Sequence, residues 1–256
     1  MPDTPLTLSV VIPAHNEEDS IRPVLRALCQ TLEAERVPYE VVVVNDHSKD
    51  RTSDAVAEIT REYPAVRCVD NLGAGGFGLA VRWGLDAFAG DCVAIVMADG
   101  SDPPEDVVRC YRELTQGYDC VFGSRFMRGS VVVDYPRFKL AINRLANAFI
   151  KILFGIALND TTNAFKLYRK DTIEGLRPLL SHHFNLTVEL PLKAIIRGYT
   201  FKVIPIGWRN RTEGVSKLKL QEMGSRYLFI VLYVWLEKHL AKGDYRRRTP
   251  PTGGGG

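Results

Sequence analysis

The 256-residue chain contains no apolar run long enough to cross a bilayer. Its longest uncharged apolar stretch, Tyr227 to Leu236, is about half of the roughly 20 residues a spanning helix needs. No basic region or small-residue cleavage site precedes the first strand, since Met-Pro-Asp-Thr-Pro leads directly into it, so no signal peptide is expected. The charge excess is small as well. Thirty-three Lys and Arg against 30 Asp and Glu leave +3, too little to indicate a nucleic-acid partner. The five cysteines, Cys29, Cys68, Cys92, Cys110 and Cys120, are scattered and odd in number, with no metal-binding or redox spacing. Reduced core thiols and a cytoplasmic location follow as expectations.

What is present is an ordinary globular composition, 46% hydrophobic and 25% charged, in a length that suits one large α/β domain. Leu6 to Ile12 reads as a strand stopped by Pro13, after which Asn16-Glu17-Glu18-Asp19 is expected to open a helix with its cap and first-turn acids. Tyr39 to Val44 and Val66 to Val69 read as further strands, with Thr52 to Arg61 helical between them. The turn from Asn71 to Gly78 is glycine-rich but lacks the spacing of the dinucleotide fingerprint and of the P-loop. A helix from about Leu79 to Phe88 and a strand from Cys92 to Ala98 follow. Strands and helices alternating at this spacing predict right-handed βαβ units, a mostly parallel sheet and helices on both of its faces.

The stretch Val93 to Pro104 is central to this pattern. An apolar β-branched strand ends abruptly in Asp99-Gly-Ser-Asp102-Pro-Pro, which delivers Asp99 and Asp102 to the carboxyl edge of the sheet. Ligands bind in the crevice at that edge, and carboxylates there suit a hard divalent cation carrying a phosphate-bearing substrate.

Beyond Gly129 the alternation breaks down. Helices are predicted at Phe138 to Phe154, Thr172 to Leu180 and Leu186 to Arg197, with Asn159 to Arg169 irregular or a brief strand and Phe201 to Ile206 a late one. Trp208 to Lys217 reads as a polar, basic, functional loop. A last helix spans about Leu220 to Leu240, and its stretch Tyr227 to Leu236 is apolar all round, which requires burial in the protein, in an oligomer or in a membrane surface. The expected organisation is one α/β domain over 1–218, an apolar helix over 219–241 and a basic, Gly-rich, disordered tail over 242–256.

Several segments, taken in order, resemble the family 2 glycosyltransferases and, within them, the dolichyl- and polyprenyl-phosphate sugar synthases. They are Val-Val-Ile-Pro-Ala-His-Asn-Glu-Glu (10–18), Val-Val-Val-Val-Asn-Asp-His-Ser-Lys-Asp-Arg-Thr (41–52), Met-Ala-Asp-Gly-Ser-Asp-Pro-Pro-Glu (97–105), Gly-Ser-Arg-Phe (123–126), Asp-Thr-Thr-Asn-Ala-Phe-Lys (160–166) and Arg-Thr-Glu-Gly-Val-Ser-Lys (211–217). The resemblance implies a GT-A fold, Rossmann-like, and transfer with inversion from a nucleotide-diphosphate sugar such as GDP-mannose or UDP-glucose. It implies Mg²⁺ or Mn²⁺ and a polyprenyl-phosphate acceptor. By the same resemblance Pro13, Ala14, Asn16, Glu17, Asp46 and Ala98 with Asp99 bind the nucleotide sugar, Asp99 with Ser101 and Asp102 holds the metal, and Arg125, Arg211 and Lys217 face phosphates.

Three departures stand out. Met97 replaces the first aspartate of the metal motif and Ser101 its following glutamine, His15 replaces an aromatic residue, and Thr162-Asn163-Ala164-Phe165 replaces the usual Ser-Gly-Phe. A lipid-phosphate acceptor needs no strong base, only positioning by Arg125, by Arg137 or Lys139, and by Arg211 and Lys217. A hydroxyl acceptor would need a carboxylate base, with Asp102, Asp160 or Glu189 as the choices, and a nucleotide-sugar-binding protein without turnover is the third possibility. His182 and His183 read as surface or capping residues. The amphipathic helix at 138–154, the apolar helix and the basic tail together predict peripheral membrane association.

Overall fold

The structure, a computed structural model, describes residues 5–209 and 220–247, the side chains of 220–223 excepted. In chain order the elements are β1 (Leu8–Ala14), α1 (Ile21–Ala34), β2 (Tyr39–Asn45), α2 (Thr52–Glu62), β3 (Val66–Asp70), α3 (Phe77–Ala87), β4 (Cys92–Ile95), α4 (Pro104–Thr115) and β5 (Cys120–Ser124). Then follow β6 (Val131–Val133), α5 (Arg137–Phe154), β7 (Lys166–Arg169), α6 (Lys170–Leu176), α7 (Leu186–Ile196), β8 (Phe201–Pro205), β9 (Gly207–Arg209) and α8 (Leu220–Leu240).

Seven strands form one sheet in the order β3-β2-β1-β4-β7-β5-β8, and β7 alone runs antiparallel to its neighbours. The chain leaves β1 towards β3, then returns to place β4 on the other side of β1, so the topological switch lies between β1 and β4. Strand alternation divides the core. Val10, Ile12, Val41 and Val43 pack beneath α1, α2 and α4, whereas Val11, Val42 and Val44 face α3, α6 and α7.

Two local expectations fail for identifiable reasons. The acidic segment 16–19 does not open α1, which begins at Ile21 with no acid in its first turn. Asn16 adopts a left-handed φ of 55°, the amides of Glu17 and Glu18 bond to Thr52 Oγ1 and Asp50 Oδ2 across the β2–α2 turn, and the helical ladder starts only with the Glu17 carbonyl accepting from Ile21 N. Strand β4 ends at Ile95, three residues earlier than its apolar run, because β7 pairs only as far as Ile95.

A third core joins α5, α7 and α8 through Ile150, Phe154, Val188, Leu192, Ile230, Val231 and Val234. The apolar stretch of α8 is therefore buried on one side only; Leu228, Phe229, Leu232 and Leu236 are exposed. The far end of α8 is anchored by Arg197, whose Nε and Nη2 donate to Glu237 at 2.7 and 2.9 Å, and by Lys238 Nζ donating to the Phe154 carbonyl. The chain from Lys242 to Arg247, assigned above to a disordered tail, folds back onto the domain: Arg247 N donates to the Arg197 carbonyl and its guanidinium pairs with Asp119 at 2.6 Å. Residues 248–256 lie outside the described residues.

Removing the partner of a buried charge costs about 3–5 kcal/mol. Glu237→Ala is accordingly expected to lower the urea midpoint by that equivalent, since Arg197 is buried. Leu228→Ala, an exposed position on the same helix, is expected to shift stability by no more than about 0.5 kcal/mol.

Candidate active site

A cleft of about 910 Å³ opens at the carboxyl ends of β1, β2, β4 and β5. Its floor at one end is made by Pro13, Ala14 and Glu17 from the β1 turn and by Asp46 after β2. Asp46 is buried, and its two oxygens accept from Asn71 Nδ2 and from the Gly76 amide, each at 2.8 Å. The glycine-rich turn is thus pinned to the end of β2 by a carboxylate. Gly76 has φ 145°, and a Cβ there would lie 2.7 Å from the His182 carbonyl oxygen; at Gly78 it would lie equally close to the His182 backbone. Glycine is needed at both positions because the 182–185 segment packs directly onto the start of α3, where Phe77 stacks on Phe184 at 4.1 Å. His182 and His183 contribute backbone contacts here, with the His182 carbonyl accepting from Leu79 N.

Two residues expected at this end lie elsewhere. Asn16 is exposed and does not line the cleft; its side chain accepts from the Lys49 amide. Ala98 is buried in the core beneath.

The acidic turn forms the middle of the floor, where Met97, Asp99, Ser101 and Asp102 all line the cleft. Asp99 Oδ1 accepts from Ser101 N at 3.0 Å, and Asp102 Oδ2 accepts from Met97 N at 3.0 Å. Burial, aided by the neighbouring charge of Asp99, pushes the Asp102 carboxyl up to about 7. Among the described residues no group of three or more His, Cys, Asp or Glu could hold a metal by itself. Two carboxylates on one turn, with a hydroxyl between them, still fit Mg²⁺ or Mn²⁺, ions that take one or two carboxylates and complete their shell with substrate phosphates and water.

At the other end Arg125, at the close of β5, gives Nε and Nη2 to the two oxygens of Asp160, both at 2.8 Å, and its amide to Asp160 as well. Both side chains are buried. This pairing keeps the guanidinium charged and fixes its plane, so Arg125 meets the cleft as a positioned charge whose bidentate fork is already occupied. Lys139 and Asn143 of α5 line the same wall, and Asn143 Nδ2 donates to the Tyr135 hydroxyl. Arg137 is exposed and outside the cleft. Arg211 and Lys217 lie outside the described residues.

Thr162, Asn163 and Ala164 complete this wall, and three buried side chains shape their loop. Asn147 Oδ1 accepts from Thr161 N at 2.6 Å while its Nδ2 donates to Thr162 Oγ1 at 3.0 Å. Asn163 Nδ2 donates to the Gly123 carbonyl, and Lys166 Nζ donates to the carbonyls of Thr161 and Asn163. Burial pushes the Lys166 amine down to about 7, Asp160 opposing and Arg125 adding to the effect. The unfolded lysine holds its proton to about pH 10. Between those values the unfolded chain binds more protons than the native one, so the contribution of Lys166 to stability rises with pH and is lost as pH falls through 7. Urea unfolding of wild type and Lys166→Met is expected to show the wild type gaining on the variant by a few kcal/mol from pH 7 to pH 10.

Of the three carboxylates considered as a base, only Asp102 reaches the cleft. Asp160 is held by Arg125, and Glu189 is fully buried, accepting from Leu180 N, Ser181 N and the ammonium of Lys193. Beyond the polar floor the wall becomes apolar: Ile142, Ala146, Phe149 and Ile150 of α5 face Leu228 and Val231 of α8. Tyr135, Asn143 and Asn147 were not among the expected site residues, whereas Trp208 opens the loop expected to carry function. Asn143 and Asn147, uncharged polar residues four apart in an amphipathic helix, carry the one signal that could have marked them.

The profile of the family described as "Glycosyl transferase family 2" matches residues 9–177. The chain is 29% identical over 220 residues to a protein of Pyrococcus furiosus named dolichol-phosphate mannosyltransferase, covering 84% of this chain and 60% of that protein's length. It is 28% identical over 215 residues to the polyprenol monophosphomannose synthase of Mycolicibacterium smegmatis, covering 82% and 80%. Among solved structures, glucosyl-3-phosphoglycerate synthase from Mycobacterium tuberculosis superposes with a TM-score of 0.69 at 19% identity, covering 91% of this chain and 80% of the other. That enzyme has been crystallised with Mn²⁺, uridine diphosphate and phosphoglyceric acid, and with Mg²⁺ and uridine diphosphate. The mostly parallel seven-stranded sheet with helices on both faces is the GT-A fold.

Proposed function

The chain belongs to glycosyl transferase family 2, and from that premise we propose that it moves a hexose from a nucleotide-diphosphate sugar to the phosphate of a polyprenyl lipid. One observation carries this reading. The cleft passes without interruption from a carboxylate-bearing floor, through a wall with Arg125 and Lys139, to an apolar trough between α5 and α8. A donor diphosphate, an anionic acceptor head and a hydrocarbon chain need those three surfaces in that order. The names of the two relatives, a dolichol-phosphate mannosyltransferase and a polyprenol monophosphomannose synthase, support the same acceptor class.

In the proposed arrangement Pro13, Ala14, Glu17 and Asp46 hold the nucleoside. Asp99, with Ser101 and Asp102, holds Mg²⁺ or Mn²⁺, which when bound offsets the charge of the diphosphate leaving group. Arg125 and Lys139, with Arg211 and Lys217 of the intervening segment, orient the acceptor phosphate. An oxygen of that phosphate is anionic at neutral pH and attacks the anomeric carbon on the face opposite the diphosphate, forming one C–O bond as the other breaks, with inversion. No proton need be removed, so the step requires no carboxylate base in the cleft.

No helix among the described residues is long and apolar enough to cross a membrane. We place the acceptor chain in a bilayer on which the protein docks peripherally, using the exposed Phe138, Leu145 and Ile152 of α5 and Phe229, Leu232 and Leu236 of α8. The test is incubation with labelled GDP-mannose or UDP-glucose, Mn²⁺ or Mg²⁺, and a polyprenyl phosphate. Label entering the organic phase supports the proposal; water-soluble product, or binding without turnover, overturns it.

A further inference from the structure

Arg125 and Tyr135 also border a second, smaller and open pocket of about 370 Å³, lined as well by Phe126, Met127, Val132, Leu140 and Arg144. Cations and rings alternate along this wall. The Arg144 guanidinium lies 5.7 Å from the Phe126 centroid, Arg125 lies 5.3 Å from the same ring and 5.7 Å from that of Tyr135, and the Lys139 ammonium lies 6.0 Å from Tyr135. Arg125 is neutralised by Asp160. Arg144 is not: it is exposed, and among the described residues its one contact of this kind is the Phe126 ring. The next residue, Leu145, is 73% exposed and belongs with Phe138 and Ile152 to the outward apolar stripe of α5.

We propose that this second pocket binds the phosphodiester headgroup of an anionic bilayer lipid, separate from the acceptor phosphate, with the lipid chains lying along that stripe. The proposal rests on the bilayer-docked reading of α5 and adds to it a specific lipid site. A guanidinium presents paired donors that match two phosphate oxygens. Met127, Val132 and Leu140 offer none of the additional donors that a strongly hydrated inorganic phosphate requires, whereas they suit the apolar part of a diester. Its place at the foot of an exposed apolar stripe puts a fixed anion site where the headgroups of a leaflet would lie.

The experiment is sedimentation of the full chain with vesicles of phosphatidylcholine alone and of phosphatidylcholine with phosphatidylglycerol, at low salt. Arg144→Gln and Arg144→Lys are both expected to weaken binding to the phosphatidylglycerol vesicles, Arg144→Gln by more than the about five-fold that one basic residue is worth at an anionic leaflet, and to leave binding to pure phosphatidylcholine unchanged. Lys151→Gln, an exposed charge on the same helix, is expected to weaken it less. A wild-type response from Arg144→Lys, or an equal loss from Lys151→Gln, would reduce the effect to unspecific surface charge and overturn the site. Displacement from the vesicles by inorganic phosphate at constant ionic strength would show a free-anion site instead. Turnover of a short-chain polyprenyl phosphate in detergent completes the test: a raised KM for that acceptor in Arg144→Gln would assign the pocket to the acceptor and overturn the proposal. Arg144-dependent lipid binding in a wild type that transfers no sugar would keep the lipid site and remove the transferase reading.

Discussion

Asp99→Ala is expected to lower kcat/KM by about 10³-fold or more, the several kcal/mol that a metal supplies to a departing diphosphate. The size of the effect follows from what surrounds the turn. Met97 stands where a second carboxylate would be, and Asp102 is buried with one oxygen already bonded to the Met97 amide. Asp99 is therefore the carboxylate best placed to meet a cation, with Asp102 in support. Asp102→Asn keeps an acceptor oxygen for the Met97 amide and is expected to cost nearer ten-fold. The measurement is initial rate against Mn²⁺ concentration for each variant: Asp99→Ala should abolish the metal-dependent phase without changing the unfolding midpoint appreciably. A rate in Asp99→Ala that still saturates with Mn²⁺ at wild-type concentrations would place the metal elsewhere.

The alternation of strands and helices was legible because β-branched runs such as Val41 to Val44 are buried on both faces and end in polar turns. Local signals failed where a distant partner decides the conformation. Asn16 looks like a helix cap until the β2–α2 turn takes the neighbouring amides. β6 and β9, three residues each, exist because Val131–Val133 and Gly207–Arg209 pair across more than seventy residues of chain. The floor of the cleft was readable from the acidic turn and the segments around it, since Asp46 directly follows β2 and Asp99 and Asp102 lie in the turn after β4. Its far wall was less so. Arg125 reads as a free phosphate-binding arginine until Asp160, 35 residues later, occupies its fork. The α8 stretch reads as apolar all round, and only the packing of Ile230 and Val234 tells which side is inside.

That far wall makes the second large effect a matter of charge balance. Asp160→Asn is expected to destabilise the protein by about 3–5 kcal/mol, because it leaves the buried Arg125 guanidinium without its counter-charge while Thr162 Oγ1 and the loop above lose their fixed partner. A buried ion pair contributes little over a well-packed apolar pair of similar volume, so the double variant Arg125→Met with Asp160→Leu is expected to recover most of the lost stability in urea unfolding. Transfer to polyprenyl phosphate should behave differently. If Arg125 presents a positioned charge to the acceptor phosphate, the double variant stays at least about 10²-fold down in kcat/KM, with the loss appearing against acceptor and not against donor concentration. Recovery of activity together with stability would reduce the pair to architecture and leave Lys139 and the 210–219 segment to hold the acceptor.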